Sequence, residues 1–458
     1  MRKFTFYLAT LFIAVNNPVS AEQHDCVTLN QDVAHIEQLA KSGQYRKLTS
    51  SATSSKKPLS FDYQLSRSFD EYLKFAKQKI VNENPKAGLT CPIETGVTKA
   101  LNKSVESLVV ADLVAPFELT VTDNNKGVLL IHGLTDSPYL FHDLASFYYS
   151  QGFNVRTLLL PGHGTAPDAL TDVEYQQWQI ATEFAINKMQ QDFKQVYLGG
   201  FSTGGALILD YLLTNSTKSV SFKAEQLKGV MLWAPASKAK SKFAWAAGVV
   251  DWLPFLDYTH KGADIDFAKY ESFPLNAGAQ VHALMNALTD KLVVNKNIPD
   301  IPLLTITSEV DSTIETQSTI ELLTAWHNAP NRQSSALDEL FYFGQPNSLS
   351  QLPKSYQRVL AQCDSTKHNY CSNIVNVAHT SVTNSPTNPH YGWQGSYRNC
   401  ETTFGSEHYQ SCKTTKQVTL GETTAENLTK YPNLQRLTFN PNFEQMTQVI
   451  TEFIHKTQ

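Results

Sequence analysis

The sequence lacks a basic block, an internal repeat, a low-complexity tract and any C-x-x-C pair. Each absence removes a class of function. Without clustered cations nothing tracks a phosphate backbone. The 38 Lys plus Arg against 42 Asp plus Glu give a net charge of -4, so nucleic acid is not expected as a partner. Without a repeat there is no solenoid or propeller. Without C-x-x-C spacing a tetrahedral metal site or a thioredoxin-type redox centre has little support, and no metal or organic cofactor is expected. Charged residues make up only 17% and hydrophobic ones 41% of 458 residues. That excludes disorder throughout and allows one large or two ordinary domains.

What is present begins with an address. Arg2 and Lys3 precede an apolar run, Phe4 to Val15, shorter than the roughly 20 residues a membrane span needs. Val19-Ser20-Ala21 then supplies the small residues of a cleavage site. Residues 1–21 are expected to be a signal peptide, with a periplasmic or extracellular destination. An uncleaved anchor is the weaker reading, and the absence of a cysteine directly after Ala21 disfavours a lipoprotein. All six cysteines would reach an oxidising compartment, where an even count suits disulfides. Chain proximity favours Cys363 with Cys371 and Cys400 with Cys412, leaving Cys26 for Cys91.

Residues 22–110 read as a mostly helical extension, with helical spacing across Phe61 to Ile80. From about Ser107 short apolar runs alternate with amphipathic segments: Gly127 to Ile131, Val155 to Leu160, Val196 to Gly199, Gly229 to Trp233 and Ile301 to Thr307. This texture predicts a mostly parallel central sheet flanked by helices over 111–458.

Gly200-Phe201-Ser202-Thr203-Gly204 stands between an apolar strand and the start of a helix. A strand turning sharply into a helix crowds the chain around its middle residue, so the flanking positions must lack a Cβ. Ser202 would then stand exposed as a nucleophile, and the Thr203 amide could donate to an oxyanion. Upstream, a buried strand ends in His132-Gly133 and opens into a loop. The Leu134 amide is the expected second oxyanion donor. His132 itself is expected to fix the loop, and Leu160 to Gly164 to form a turn.

With LLIHGLTDSP, LLLPGHGTAP, LGGFSTGG and LTITSEVDSTIE in order, the chain from about Ser107 onward resembles the α/β-hydrolase superfamily. Within it the likeness is to secreted bacterial esterase/lipase-like proteins related to monoacylglycerol lipases and carboxylesterases. The resemblance implies an α/β-hydrolase fold with a helical lid insertion, a Ser-Asp/Glu-His triad, two backbone oxyanion donors and cleavage of carboxylic esters. The acid follows the strand after the lid, where the family pattern selects Asp311, with Glu309 in reserve. The base follows the next strand. Ser372 to Val377 with His379 fits that place best, and His390, His368 and His408 are alternatives. Because Asp311 and His379 lie far apart, about 328–371 is expected to be a surface insertion.

The lid is expected at about 238–300. It carries Phe243, Trp245, Trp252, Leu253, Phe255, Leu256 and Tyr258, which suit either an apolar ester or lipid substrate, with transient membrane or lipid contact, or simple packing of the lid onto the core. The oligomeric state is open. Two other readings stay alive: a peptidase of the proline-iminopeptidase kind, which needs an acidic site for a substrate amine, and a non-catalytic interaction protein on the same fold.

Overall fold

The computed structural model describes residues 24–49, 59–122, 124–215, 223–240, 257–294, 298–360, 363–415 and 418–458. The expected leader and the lid aromatics Phe243 to Leu256 lie outside the described residues.

The strands are β1 (Glu118–Leu119), β2 (Lys126–Ile131), β3 (Asn154–Leu158), β4 (Gln195–Phe201), β5 (Leu227–Trp233), β6 (Tyr258–His260), β7 (Phe273–Pro274), β8 (Leu303–Ser308), β9 (Glu339–Phe343), β10 (Gln357–Leu360), β11 (Thr419–Gly421) and β12 (Leu434–Arg436). Eight of them form one sheet in the order β1-β3-β2-β4-β5-β8-β9-β10. Only the edge strand β1 runs antiparallel to its neighbour. The inner strands are buried along nearly their whole length, as expected where helices cover both faces of a parallel sheet.

Alternate residues feed two cores, because side chains alternate faces along a strand. Leu129 and Ile131 of β2 enter one hydrophobic cluster with Trp178, Leu207, Leu284 and Leu323 from flanking helices. Val128 and Leu130 enter the other, with Leu144, Ile450 and Phe453. The chain is therefore an α/β-hydrolase fold: a large parallel sheet sandwiched between helical layers. Strand order reverses between β2 and β4, and the crevice beyond the carboxyl ends at such a reversal is where open α/β sheets bind ligands.

The N-terminal extension belongs to the first core. Phe69, Tyr72, Ala76 and Ile80 pack there, and the Tyr72 hydroxyl donates to the Leu159 carbonyl at 3.0 Å while accepting from the Leu159 amide at 2.8 Å. Its central helix runs Phe69–Glu83 rather than from Phe61. Ser68 and Glu71 form a capping box that starts it there, while Phe61 and Tyr63 precede it and pack edge-to-face against Phe184. Three disulfides join Cys26 to Cys91, Cys363 to Cys371 and Cys400 to Cys412.

Two expectations need correction. The stretch 328–371 is not simply a surface insertion, because it supplies β9 and β10, the last two strands of the main sheet. The run Glu339–Phe343 is buried at every position and extends the hydrophobic sheet. Ser372 to Val377 is not a strand. It opens in a short 3-10 turn, Asn369–Asn373, and Ile374 makes a single bridge to Leu420.

Candidate active site

Ser202 sits at the end of β4, immediately before the helix Thr203–Asn215. Its φ is +49°, a left-handed conformation that a non-glycine residue holds only when its surroundings enforce it. They do. The Ser202 amide donates to Trp233 O at 2.9 Å, and its carbonyl accepts from the amides of Ala206 and Ala236. A Cβ on Gly204 would lie 2.0 Å from the Ile131 carbonyl oxygen, and one on Gly200 would lie 2.6 Å from Gly204 C. Both flanking glycines are therefore steric requirements of the turn.

Ser202 Oγ lies 3.1 Å from His379 Nε2, and His379 Nδ1 lies 2.6 Å from Asp311 Oδ2. Because a carboxylate only accepts, the ring proton belongs on Nδ1, leaving Nε2 free to receive the serine proton. The other oxygen of Asp311 accepts from the amides of Thr313 and Ile314 at 2.7 and 2.8 Å. It thus caps its own loop while orienting the imidazole. All three residues are buried.

The structure leaves the alternatives elsewhere. Glu309 accepts from the Gln345 amide. His390 is fully buried between Asp266, 3.0 Å from Nε2, and Ser396, 2.9 Å from Nδ1. His368 stacks on Tyr370, and His408 is exposed on a short helix.

Both expected oxyanion donors are unengaged: among the described residues no acceptor takes the Leu134 or the Thr203 amide. Thr203 opens its helix, where a backbone N–H has no intrahelical acceptor. The Leu134 loop is braced by two histidines. His132 Nε2 accepts from the Leu160 amide at 3.1 Å and its Nδ1–H donates to Gly133 O at 2.8 Å. His163 Nε2 accepts from the Thr135 amide at 3.1 Å. Burial first, then the neighbouring His163, holds His132 well below the usual imidazole range, and burial pulls His163 down to about 4. Both rings are neutral in the structure, as acceptors of backbone N–H must be.

Sequence reasoning missed the residues that hold His379. Glu422, fully buried, accepts the His379 amide on Oε2 at 2.9 Å. It also pairs with Arg436, whose Nε lies 2.8 Å from Oε1 and Nη2 3.2 Å from Oε2. Arg436 Nη2 reaches on to Thr313 Oγ1 at 3.0 Å. One ion pair thus ties the histidine to the loop of Asp311. Burial raises the Glu422 carboxyl, but Arg436 outweighs it and brings the group down to about 2. No motif marks either residue; only their meeting in space does.

A second unforeseen carboxylate is Asp136, two residues beyond Leu134. Burial pushes it up to about 6, against the pull of Lys269. Lys269 lies on the segment between β6 and β7, one described part of the expected lid. That segment is held from both sides. Lys86 Nζ of the extension donates to the carbonyls of Asp264 and Asp266 at 2.5 and 2.6 Å, while Tyr391 and Tyr397 donate to Asp266 and Glu271. The helix Leu275–Val294 that follows packs into the first core beside Thr203–Asn215 as an ordinary flanking helix. Among the described residues no group of three His, Cys, Asp or Glu could hold a metal, and no helix is long and apolar enough to cross a membrane.

A family model agrees with this architecture over part of the chain. Residues 127–291 match the family described as alpha/beta hydrolase fold. A thermostable monoacylglycerol lipase of Bacillus sp. (strain H-257) is 27% identical over 172 residues, 36% of this chain and 64% of that relative. The chain thus spans a little under two thirds of that relative's length. Among solved structures, the metagenome-derived lipolytic enzymes LipS and LipT provide a match at 20% identity. It covers 51% of this chain and 88% of the other, with a TM-score of 0.40. The monoacylglycerol lipase of Paleococcus ferrophilus matches at 16% identity over 50% and 87%, with a TM-score of 0.38.

Proposed function

We propose that this esterase/lipase-like α/β hydrolase cleaves carboxylic esters through an acyl-enzyme on Ser202, with His379 as base and Asp311 as its orienting acid. The observation that carries the reading is the unbroken line Ser202 Oγ, His379 Nε2, His379 Nδ1, Asp311 Oδ2, beside two amides with no acceptor among the described residues. Ser202 Oγ attacks the ester carbonyl as its proton passes to His379 Nε2, and Asp311 stabilises the imidazolium that forms. Charge collects on the former carbonyl oxygen, which the Leu134 and Thr203 amides receive. The C–O bond to the alcohol then breaks, and His379 returns the proton to the departing oxygen. Water, deprotonated by the same nitrogen, releases the acid and restores Ser202.

The aromatic composition of 243–256, which lies outside the described residues, is the sequence feature that favours an apolar ester. Three disulfides and the expected leader support export to an oxidising compartment. The test is hydrolysis of a p-nitrophenyl ester series by the wild type and Ser202→Ala, with fluorophosphonate labelling read by peptide mass. Label on Ser202 and loss of turnover in the variant are expected. A folded wild type that neither labels nor turns over would remove the hydrolase reading.

A further inference from the structure

The turn that presents the Leu134 amide is strained. Asp136 N donates to Gly133 O at 3.3 Å and closes it, and Thr135, at its third position, has a φ of +68°. A β-branched residue holds that conformation only when its surroundings impose it. The same turn sets the aim of the oxyanion donor. A peptide unit is planar and trans, so its N–H points away from its C=O. The Gly133 carbonyl, held by Asp136 N and by His132 Nδ1 at 2.8 Å, therefore fixes the direction of the Leu134 amide.

The forces on Thr135 come from outside the turn. Its amide donates to His163 Nε2 at 3.1 Å, and its carbonyl accepts from the Tyr270 amide at 2.8 Å. Both holds converge on Tyr270. The Tyr270 hydroxyl accepts from the Thr165 amide at 2.8 Å and donates to Gly162 O at 3.1 Å, which clasps the turn carrying His163. Its ring lies within 11° of parallel to the His163 imidazole, with centroids 6.2 Å apart.

The loop that bears Tyr270 is tied in turn to the N-terminal extension. Asp264, itself at φ +55°, closes the loop by accepting from the Glu271 and Ser272 amides at 3.0 and 2.8 Å. Arg46 crosses the neck of the loop, donating to Gly262 O at 2.9 Å and Ser272 Oγ at 3.1 Å. Lys86, 4% exposed, holds the Asp264 and Asp266 carbonyls from the same side. We propose that Tyr270 is a positioning residue for the oxyanion donor, and that the extension keeps Tyr270 in place through Arg46 and Lys86. The inference rests on the hydrolase reading above, with Leu134 as donor. It gives the extension, which lies outside the matched residues 127–291, a part in the reaction.

The test measures kcat and KM for p-nitrophenyl butyrate and its thiono analogue, in which C=S replaces C=O. Sulfur accepts hydrogen bonds poorly, so the ester-to-thionoester ratio of kcat reads the oxyanion site separately from the triad. Tyr270→Phe removes the clasping hydroxyl. It is expected to lower kcat for the ester about tenfold, part of the roughly 10²–10³-fold that loss of an oxyanion donor costs, with KM changed less than about twofold. The ratio should fall about fivefold, and Lys86→Met should move it in the same direction by about threefold. Thr135→Gly added to Tyr270→Phe should restore most of the ratio, because glycine holds a positive φ unaided. If one single variant fails to fold, the other decides. A wild-type ratio in the folded single variants, with Ser202 still labelled by a fluorophosphonate, would overturn the positioning role and leave the hydrolase standing. So would a glycine that rescues nothing. A folded wild type with neither turnover nor labelling would overturn both.

Discussion

Replacing Glu422 by glutamine would test whether the histidine is held by a charge or merely by packing. The carboxylate takes four donors: the His379 amide, the Thr423 amide at 2.9 Å, and Arg436 Nε and Nη2. Glutamine keeps one oxygen and turns an NH2 group toward donors. The Arg436 guanidinium, with a side chain 15% exposed, then stays buried without its counter-charge. Breaking a buried pair from one side costs about 3–5 kcal/mol, a large share of the roughly 5–15 kcal/mol that holds a domain together. Urea unfolding should show that loss. The double variant Glu422→Gln/Arg436→Met should recover a substantial part of it, because no uncompensated charge remains. In kinetics, the pair touches His379 and the Asp311 loop, not the substrate. The expected signature is a fall in kcat with little change in KM, partly restored by Glu422→Asp. Wild-type stability and kcat in Glu422→Gln, or additive effects in the double variant, would refute the reasoning.

Other perturbations separate chemistry from scaffold. Asp311→Asn should lower kcat about 10³–10⁴-fold, while thermal unfolding stays close to wild type, because an asparagine oxygen can still cap the Thr313 and Ile314 amides. Gly204→Ala places a methyl where the Ile131 carbonyl already lies, so soluble yield or melting temperature should collapse; an unaffected melting curve would contradict the steric account. His163 has its folded pKa pulled down to about 4, below the roughly 6.5 of an unfolded histidine. The unfolded chain then binds the extra proton first as pH falls, so this group's contribution to stability is present above pH 6.5 and is lost between about 6.5 and 4. An NMR titration of the imidazole should find the ring still neutral at pH 5. In His163→Gln that pH-dependent loss should disappear from the unfolding free energy; an unchanged pH dependence would count against this reading.

Legibility in the sequence followed locality. The turn at Ser202 needs two glycines within five residues, and the Leu134 loop needs a buried strand directly before it, so short motifs carried both. The inner strands were readable because burial on both faces leaves continuous apolar runs. The run Glu339–Phe343 was equally apolar. It lies within the long gap between Asp311 and His379, a spacing that favours an insertion over two more strands. His379 itself arrives on an irregular segment, so the expectation of a strand before it failed although the residue lies against Ser202.

The groups that escaped reading share one property: their partners are distant in sequence. Glu422 meets His379 across 43 positions, and Lys269 faces Asp136 from an insertion on the other side of β4 and β5. A buried charge leaves no periodicity, and a lone acidic residue after an oxyanion loop looks like any solvated one. Burial is what gives these residues consequence, since it converts a weak surface charge into a group whose partner must be supplied. For Glu422 the fold supplies Arg436. For Asp136 it supplies only partial compensation, since burial outweighs the pull of Lys269, His379 and Arg436 and the carboxyl stays raised.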